Sequence, residues 1–189
     1  MNIVVWNCQG AGGRGVHRVL KQIIQSHRPG ILGLVEPKVS GSQANVICLK
    51  LGFSDWIRVE AFGVSGGIWV LWNDHSQVSV IFTHPQFVLL QVQAAGQTPW
   101  FCAVVYGSPT HHLRRRLWSE LCSVKRGISG PLLVAGDFNS IIDQSETSNY
   151  GAYSVQHSVD FVDWIQTEGL LDLGFTGPKF TWTKGVTTG

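Results

Sequence analysis

The sequence predicts an α+β protein with a four-layer α/β/β/α sandwich, in which two packed mixed β-sheets are flanked by helices. Three observations predict this fold class: strand and helix patterns alternate at first, only strand patterns occur from 55 to 106, and alternation then returns. Consecutive strands without helices between them do not fit one doubly wound parallel sheet, whereas two packed sheets with outer helices accommodate them. The 189 residues suffice for one domain with a real core.

The first part of the chain alternates between β-branched or aromatic runs and apolar residues at helical spacing. These patterns predict a strand, a helix, a strand and a helix, at 3–6, 16–27, 31–35 and 42–51. Pro29 and Gly30 follow the first helix and Gly52 follows the second, and both residue types end helices.

Five strand-like runs follow, divided by turn residues, at 57–60, 67–72, 78–82, 87–92 and 100–106. Leu113, Leu117, Leu121 and Val124 share one helical face and predict a third helix over 111–126. The remaining predicted elements are a strand, a helix and a short last strand, at 131–135, 155–165 and 180–182.

Charge is distributed unevenly along the chain, although the net charge is only +2. Residues 1–126 contain 12 basic and 5 acidic residues, whereas residues 127–189 contain 2 basic and 7 acidic residues. This distribution allows a basic surface beside an acidic cluster, but the total is far below that of a dedicated nucleic-acid coat protein. We therefore expect any affinity for nucleic acid to be modest.

The four cysteines lack the spacing of a zinc site or a redox pair, because 40, 54 and 20 positions separate Cys8, Cys48, Cys102 and Cys122. Each lies among apolar residues, which indicates buried free thiols in a reducing compartment. No apolar run reaches the roughly 18 residues of a membrane-spanning helix, and the N-terminus does not resemble a secretion signal. We expect a nuclear or cytoplasmic protein without a membrane partner.

A glycine-rich segment after the first strand suggests one alternative function. Gly10, Gly12 and Gly15 satisfy GxGxxG, and Glu36 lies 21 residues beyond Gly15, where a dinucleotide-binding unit has its ribose-binding acid. Three residues, 7–9, separate the strand from the first glycine, however, and the strand-only stretch does not continue a βαβ fold. A dinucleotide-binding enzyme is therefore a less favoured alternative, and a flexible loop is the simpler interpretation.

Polar side chains stand at the ends of four predicted strands. Asn7, Glu36 and Tyr106 each occupy a strand end, and Asp137 and Asn139 follow the strand at 131–135. Strand ends hold such groups rigidly at one edge of a sheet. Mg²⁺ prefers oxygen ligands and needs only one or two protein carboxylates, while amide and phenol groups can hydrogen-bond phosphate. Each residue alone is as well explained as a turn cap or a core aromatic, so the prediction rests on the set.

Four motifs occur in order along the chain: Trp6-Asn7, Leu34-Val35-Glu36-Pro37-Lys38, Tyr106-Gly107-Ser108-Pro109 and Gly136-Asp137-Phe138-Asn139. With them the chain resembles the endonuclease/exonuclease/phosphatase superfamily, which is related to deoxyribonuclease I and abasic-site endonucleases. Three further segments resemble the endonuclease domain of plant LINE-type (non-LTR) retrotransposons: 66–69, 115–118 and 171–182. The resemblance covers essentially the whole chain.

The resemblance implies a role for each residue at the strand ends. Glu36 would ligate a catalytic Mg²⁺, with Mn²⁺ as a possible substitute, and Asn7 would contact the metal site or the phosphate. Tyr106 would hydrogen-bond the scissile phosphate. Asp137 would orient or deprotonate the attacking water, and Asn139 would hold both the phosphate and Asp137. The implied reaction is an in-line displacement at phosphorus that nicks DNA.

Four basic residues are candidates for contacts with the DNA phosphate backbone: Lys38, Arg114, Arg115 and Arg116. A solvated helix or loop face explains them equally well. The resemblance also implies a reverse transcriptase domain in the same polyprotein, and we expect the endonuclease domain to be monomeric.

Departures from the family pattern lower the activity that we expect. Gln9 stands where many abasic-site enzymes have a metal-binding acid, and Pro37 where a hydroxyl residue often supports the glutamate. The chain reaches Gly189 without the last strands of the family, which carry a late Asp and a Ser-Asp-His motif, so residues 1–189 would form a single incomplete domain. Asp74-His75 lies in a predicted turn and does not replace that motif. We expect a weak or inactive nuclease or, alternatively, a non-catalytic remnant that binds nucleic acid or metal.

Overall fold

A computed structural model describes residues 1–61, 66–73, 77–147 and 155–180 of the chain. It divides into two compact units, Met1–Asn139 and Ser140–Gly189. The first unit contains every strand of the described ranges and all five residues predicted at strand ends. That residues 1–189 form one domain stays a prediction.

The first unit contains eight strands and three helices among its described residues. The strands are β1 (Ile3–Asn7), β2 (Ile31–Val35), β3 (Asp55–Val59), β4 (Ile68–Trp72), β5 (Gln77–His84), β6 (Phe87–Gln93), β7 (Trp100–Tyr106) and β8 (Leu132–Asp137). The helices are α1 (Arg14–His27), α2 (Gly41–Lys50) and α3 (His111–Arg126). These elements confirm the patterns predicted from the sequence, with differences of a few residues at the ends.

The strands form two mixed sheets of four strands each, in the orders β1-β2-β4-β3 and β5-β6-β7-β8. In the first sheet β1 and β2 are parallel, and β4 runs antiparallel to both of its neighbours. In the second sheet β7 and β8 are parallel, and the other pairs are antiparallel. The predicted class, an α+β sandwich of two mixed sheets, is confirmed. An antiparallel β4 beside β2 is not the arrangement of a dinucleotide-binding sheet, which is parallel at this point.

The two sheets pack face to face through a buried apolar core. Its members come from both sheets and include Ile31, Val35, Ile68, Val70, Val88, Leu90, Cys102 and Val104. Gly33 in β2 brings the sheets close together, since a Cβ there would lie only 2.8 Å from a methyl carbon of Val104 in β7. A larger residue at position 33 would therefore force the sheets apart.

The opposite face of the first sheet packs against α1 and α2. Side chains alternate along β2, so Leu32 and Leu34 face the helices while Ile31 and Val35 face the other sheet. The helices contribute Leu20, Ala44, Ile47 and Cys48 to this second core.

Helix α3 is fixed to the second sheet by polar contacts around the start of the helix. The Gln86 amide, in the turn between β5 and β6, donates to the Leu113 carbonyl at 2.9 Å and accepts from the Ser108 N–H at 2.7 Å. The rings of Trp118 and Phe138 lie 6.3 Å apart. Leu117, Trp118 and Leu121 are buried, which matches the apolar face predicted for this helix.

The second unit contains α4 (Val155–Thr167), and within it the rings of Phe161 and Trp164 stack at 6.0 Å. This confirms the fourth predicted helix. Of the last predicted strand, Phe180 is described and lies outside any strand, while Thr181 and Trp182 fall outside the described residues. Asp74 and His75 also lie outside them.

Cys8, Cys48 and Cys102 are buried free thiols, as predicted, and Cys122 is free and half-buried. Burial raises the pKa of the Cys48 thiol to about 11. Across the described ranges, no helix combines the length and the apolar character that crossing a membrane would require.

Candidate active site

The carboxyl ends of four strands come together at one edge of the sandwich. Asn7 is the last residue of β1, and Glu36 follows the last residue of its parallel neighbour β2. Tyr106 and Asp137 are the last residues of β7 and β8, where they are register partners. Parallel strands end at the same edge of a sheet, so the two pairs of polar residues meet where β1 and β8 lie side by side.

The Asn7 amide connects the two carboxylates of the site. Its Nδ2 donates to Asp137 Oδ2 at 2.7 Å and to Glu36 Oε1 at 3.4 Å. Its Oδ1 accepts the N–H of Gln9 at 3.1 Å. Ionised carboxylates only accept hydrogen bonds, so the amide nitrogen has to face both of them. Asn7 therefore spaces two negative charges that would otherwise repel each other.

Glu36 accepts hydrogen bonds on both of its carboxylate oxygens. The Tyr106 hydroxyl donates to Oε1 at 2.8 Å, and the Lys38 ammonium lies 2.8 Å from Oε2. Burial alone would raise the pKa of Glu36, but the contacts with Lys38, Tyr106 and Asn7 outweigh it and lower the pKa below its ordinary value. Glu36 is thus held ionised at neutral pH.

Tyr106 stays protonated in this environment. Burial, the hydrogen bond to Glu36 and the negative charges of Glu36 and Asp137 all raise the pKa of its phenol. The residue is only 3% exposed, and its hydroxyl is committed to Glu36. The phenol therefore acts as a neutral hydrogen-bond donor.

Asp137 is fixed by its own loop as well as by Asn7. The N–H of Asn139 donates to Oδ1 of Asp137 at 2.9 Å, and Asn139 adopts a left-handed φ of 47° that allows this turn. The Asn139 side chain donates through Nδ2 to the Gly107 carbonyl at 2.8 Å, which ties the loop after β8 to the loop after β7. The predicted contact between Asn139 and Asp137 is therefore made by the backbone of Asn139.

Two glycines, to which the sequence analysis gave no role of their own, allow the site to close. A Cβ at Gly66 would lie 2.8 Å from both Cα and Cγ of Glu36, and one at Gly107 would overlap the carbonyl of Phe138. Gly66 also accepts the N–H of Lys38 at 2.9 Å. Both glycines lie in motifs that carry the family resemblance, and this was the one sequence signal that pointed to them. Without a side chain, each lets the backbone at its position lie close to the opposite loop.

The loop after β2 has an uncommon backbone. Glu36 and Lys38 both have left-handed φ angles, 54° and 53°, which are rare for residues with side chains. The N–H of Glu36 donates to the Gly67 carbonyl at 3.2 Å, so the backbone of Gly66 and Gly67 holds this conformation. A left-handed Glu at a cluster of polar strand ends is typical of a functional site.

The four basic residues predicted to contact phosphate occupy different environments. Lys38 pairs with Glu36, and Arg115 and Arg116 are exposed on α3. Arg114 is only 6% exposed, and its guanidinium donates to the carbonyls of Ser108 and Pro109 at 2.7 and 3.0 Å. Arg114 therefore stabilises the start of α3, and its burial does not fit the predicted contact with DNA.

The donors of the site fit a divalent cation. Glu36 and Asp137 supply carboxylate oxygens, the ligands that Mg²⁺ and Mn²⁺ prefer, and Oε2 of Glu36 already faces a positive charge, the Lys38 ammonium. Within the described ranges no group of three or more His, Cys, Asp or Glu side chains is clustered to hold a metal. Mg²⁺ usually keeps several water ligands and needs only one or two protein carboxylates.

A family model described as the endonuclease/exonuclease/phosphatase family matches residues 4–189. The chain belongs to this family. No curated protein sequence matches it. The family fits the observed fold and the four motifs at the strand ends.

Solved structures share the fold, among them two endonucleases and TDP2. The endonuclease domain of TRAS1, a telomere-specific non-LTR retrotransposon, is 15% identical with a TM-score of 0.66, over 92% of this chain and 75% of that one. An AP endonuclease from Archaeoglobus fulgidus is 12% identical with a TM-score of 0.64, over 87% and 70%. TDP2 from C. elegans is 17% identical with a TM-score of 0.52, over 78% of this chain and 49% of its own. At these identities the likeness shows a common fold.

Proposed function

We propose that this chain is a metal-dependent phosphodiesterase that nicks DNA, with Mg²⁺ as its metal and Mn²⁺ as a substitute. The observation that carries the proposal is the network in which Asn7 and Tyr106 position Glu36 beside Asp137. Two ionisable acids held apart by neutral donors suit a reaction that needs one acid for a cation and another for water.

Glu36 is the residue that would hold the metal. Its Oε1 is fixed by Tyr106 and Asn7, which leaves Oε2 to face a cation. The metal, when bound, offsets the negative charge that develops on the phosphate oxygens. Asn7 supports this site as a spacer between the carboxylates, and in the observed orientation its Oδ1 is turned to Gln9.

Asp137 is the residue that would orient and deprotonate the attacking water. Asn7 and the Asn139 N–H each fix one carboxylate oxygen, so the carboxylate cannot rotate freely. A general base needs a fixed orientation, because it must accept a proton from the water while the water oxygen stays aligned with the phosphorus. The Asn139 amide is exposed and has a second N–H, which we assign to the scissile phosphate.

Nucleic acid is the substrate class that we infer. The similar structures include a retrotransposon endonuclease domain and an AP endonuclease, and endonuclease activity is what the two names share. We infer that the activity here is DNA nicking for retrotransposition. Exposed Arg115 and Arg116 on α3 supply charge for phosphate contacts that are independent of base sequence.

We further propose that the chain is of retrotransposon origin and that a reverse transcriptase belongs to the same polyprotein. We also propose that residues 1–189 form a single domain that acts as a monomer.

We expect a low rate from residues 1–189. This sequence contains no Ser-Asp-His tripeptide, the motif that the family resemblance associates with catalysis. Loss of one member of a catalytic unit commonly lowers rates by several orders of magnitude.

The experiment is nicking of supercoiled plasmid by the purified chain in Mg²⁺, with EDTA and Asp137→Ala as negative controls. Asp163→Asn removes an exposed carboxylate of α4 and serves as the matched control. The proposal predicts that the wild type and Asp163→Asn both nick the plasmid in Mg²⁺. EDTA should abolish this nicking, and Asp137→Ala should not nick. DNA binding without any nicking would instead support a non-catalytic remnant.

A further inference from the structure

Lys38 has an unusual position for a residue expected to bind DNA. Its Nζ lies 2.8 Å from Oε2 of Glu36, although 53% of its side chain is exposed. Its backbone is fixed, since its N–H donates to the Gly66 carbonyl at 2.9 Å and its φ is 53°. The ammonium is therefore carried on a flexible stem from an anchored point, so it can leave Glu36 without any movement of the loop.

Lys38 contacts the carboxylate oxygen of Glu36 that the neutral donors do not use. Tyr106 and Asn7 take Oε1 of Glu36, so Oε2 is left for a further cation. A divalent metal and an ammonium would repel each other at contact distance from one carboxylate oxygen. The two cations therefore exclude each other from Oε2.

We propose that the Lys38 ammonium is a tethered counter-cation that a divalent metal must displace from Glu36, and that the displaced ammonium then binds a phosphate group of the nucleic acid. This inference rests on the proposed function, because it assigns the metal to Glu36. It makes Lys38 a residue that couples two ligands: metal binding releases the positive charge that phosphate recognition uses.

Two measurable consequences follow from this coupling. Without metal, Glu36 neutralises Lys38, so Lys38 contributes little to DNA affinity. With metal, the free ammonium is available for phosphate. The coupling is reciprocal, since a phosphate that holds Lys38 away from Glu36 also favours metal binding.

The first test measures Mn²⁺ binding to the full chain by the loss of the free-ion EPR signal, without any substrate. Lys38→Met keeps an unbranched apolar stem and removes the charge, and it is compared with Lys50→Met, which removes an exposed charge at the end of α2. We expect Lys38→Met to bind Mn²⁺ roughly two- to fivefold more tightly than wild type, within the range for loss of a half-exposed competing ion pair. Lys50→Met should change the affinity less than twofold.

The second test measures the affinity for a short duplex by fluorescence anisotropy in an Asp137→Asn background, which prevents cleavage. Lys38→Met should weaken DNA affinity roughly threefold more in Mg²⁺ than in EDTA, the loss of one phosphate contact that forms only with metal bound. A weakening of the same size in EDTA would overturn the coupling.

The outcomes separate this inference from the function on which it rests. Equal Mn²⁺ affinities of wild type and Lys38→Met, both lost in Glu36→Gln, would overturn the role of Lys38 and leave the metal site standing. If neither protein bound Mn²⁺, the proposed metal site itself would be wrong. Circular dichroism of each variant establishes that it is folded.

Discussion

Asn7 Nδ2 lies 2.7 Å from Asp137 Oδ2, which joins two residues 130 positions apart in the chain. Asn7 ends β1, an edge strand of one sheet, and Asp137 ends β8, an edge strand of the other. The same amide reaches Glu36, so one neutral side chain connects both sheets and both acids of the site. Asn7 therefore helps to set the position of the two carboxylates relative to each other.

Replacement of Asn7 should damage the site more than the fold. We expect Asn7→Ala to lower the nicking rate about 100-fold, because Glu36 and Asp137 lose their common donor and repel each other. Single-turnover nicking and thermal unfolding measure the two effects. Asn45→Ala on the exposed side of α2 is the matched control. Equal nicking rates for the two variants would show that the amide bridge has no role.

The Tyr106 hydroxyl should set the acid limb of the pH–rate profile. The pKa of Glu36 is lowered in part by this hydroxyl, so Tyr106→Phe should raise that pKa. Glu36 must be ionised to hold a metal, so activity at acid pH should fall off at a higher pH in the variant than in the wild type. A full profile of nicking rate against pH measures this shift, and an unchanged acid limb would contradict the assignment.

Gly66 should be needed for the position of Glu36. An alanine Cβ at 66 would meet Glu36 Cα and Cγ at 2.8 Å, so the loop after β2 has to move. We expect Gly66→Ala to lower nicking at least tenfold and to cost about 1–3 kcal/mol of stability, the usual cost of overpacking. Gly15→Ala at the start of α1, where a Cβ meets nothing within 4 Å, is the control and should be neutral. If Gly66→Ala, like Gly15→Ala, left both nicking and stability unchanged, the loop after β2 would not need a glycine at position 66.

Replacement of the neighbours Arg114 and Arg115 should affect different properties, namely stability for Arg114 and DNA binding for Arg115. Arg114→Met should cost about 2–3 kcal/mol of stability, because a buried charged donor to the Ser108 and Pro109 carbonyls is lost. Arg115→Met should cost less stability than Arg114→Met, because the Arg115 side chain is exposed, and it should lower the slope of log DNA affinity against log salt by roughly one. Chemical unfolding and salt titrations of duplex binding measure the two effects. The prediction is wrong if Arg115→Met leaves the slope unchanged.

The sequence predicts the strand ends of the site well, because the end of an apolar run and the type of residue that follows it are both local signals. Ile31–Val35 is apolar throughout and Glu36 follows at once, so a buried strand with an acid at its end is evident from the pattern. The family resemblance further predicts which of these strand-end residues form one site. The observed network among Asn7, Glu36 and Asp137 agrees with that grouping.

The contacts that orient the site are less accessible to sequence reasoning. Arg114 and Arg115 are adjacent basic residues in the sequence, and only the helical rotation of α3 against the Ser108-Pro109 turn decides which one is buried. The pairing of Lys38 with Glu36 depends on a left-handed loop after β2, and this loop is held by the Gly66 and Gly67 carbonyls from about 30 positions away. Such long-range backbone contacts leave no periodic signal in the chain.

The central claim is that Glu36 and Asp137 act as one metal-dependent unit, and a double-mutant cycle tests it most directly. The single-turnover nicking rates of wild type, Glu36→Gln, Asp137→Asn and the double variant are compared in Mg²⁺. Because residues that act as a unit lose activity together, we predict that the double variant is about as slow as the slower single variant. A double variant whose loss equals the product of the two single losses, or a single variant with wild-type nicking, would contradict the claim.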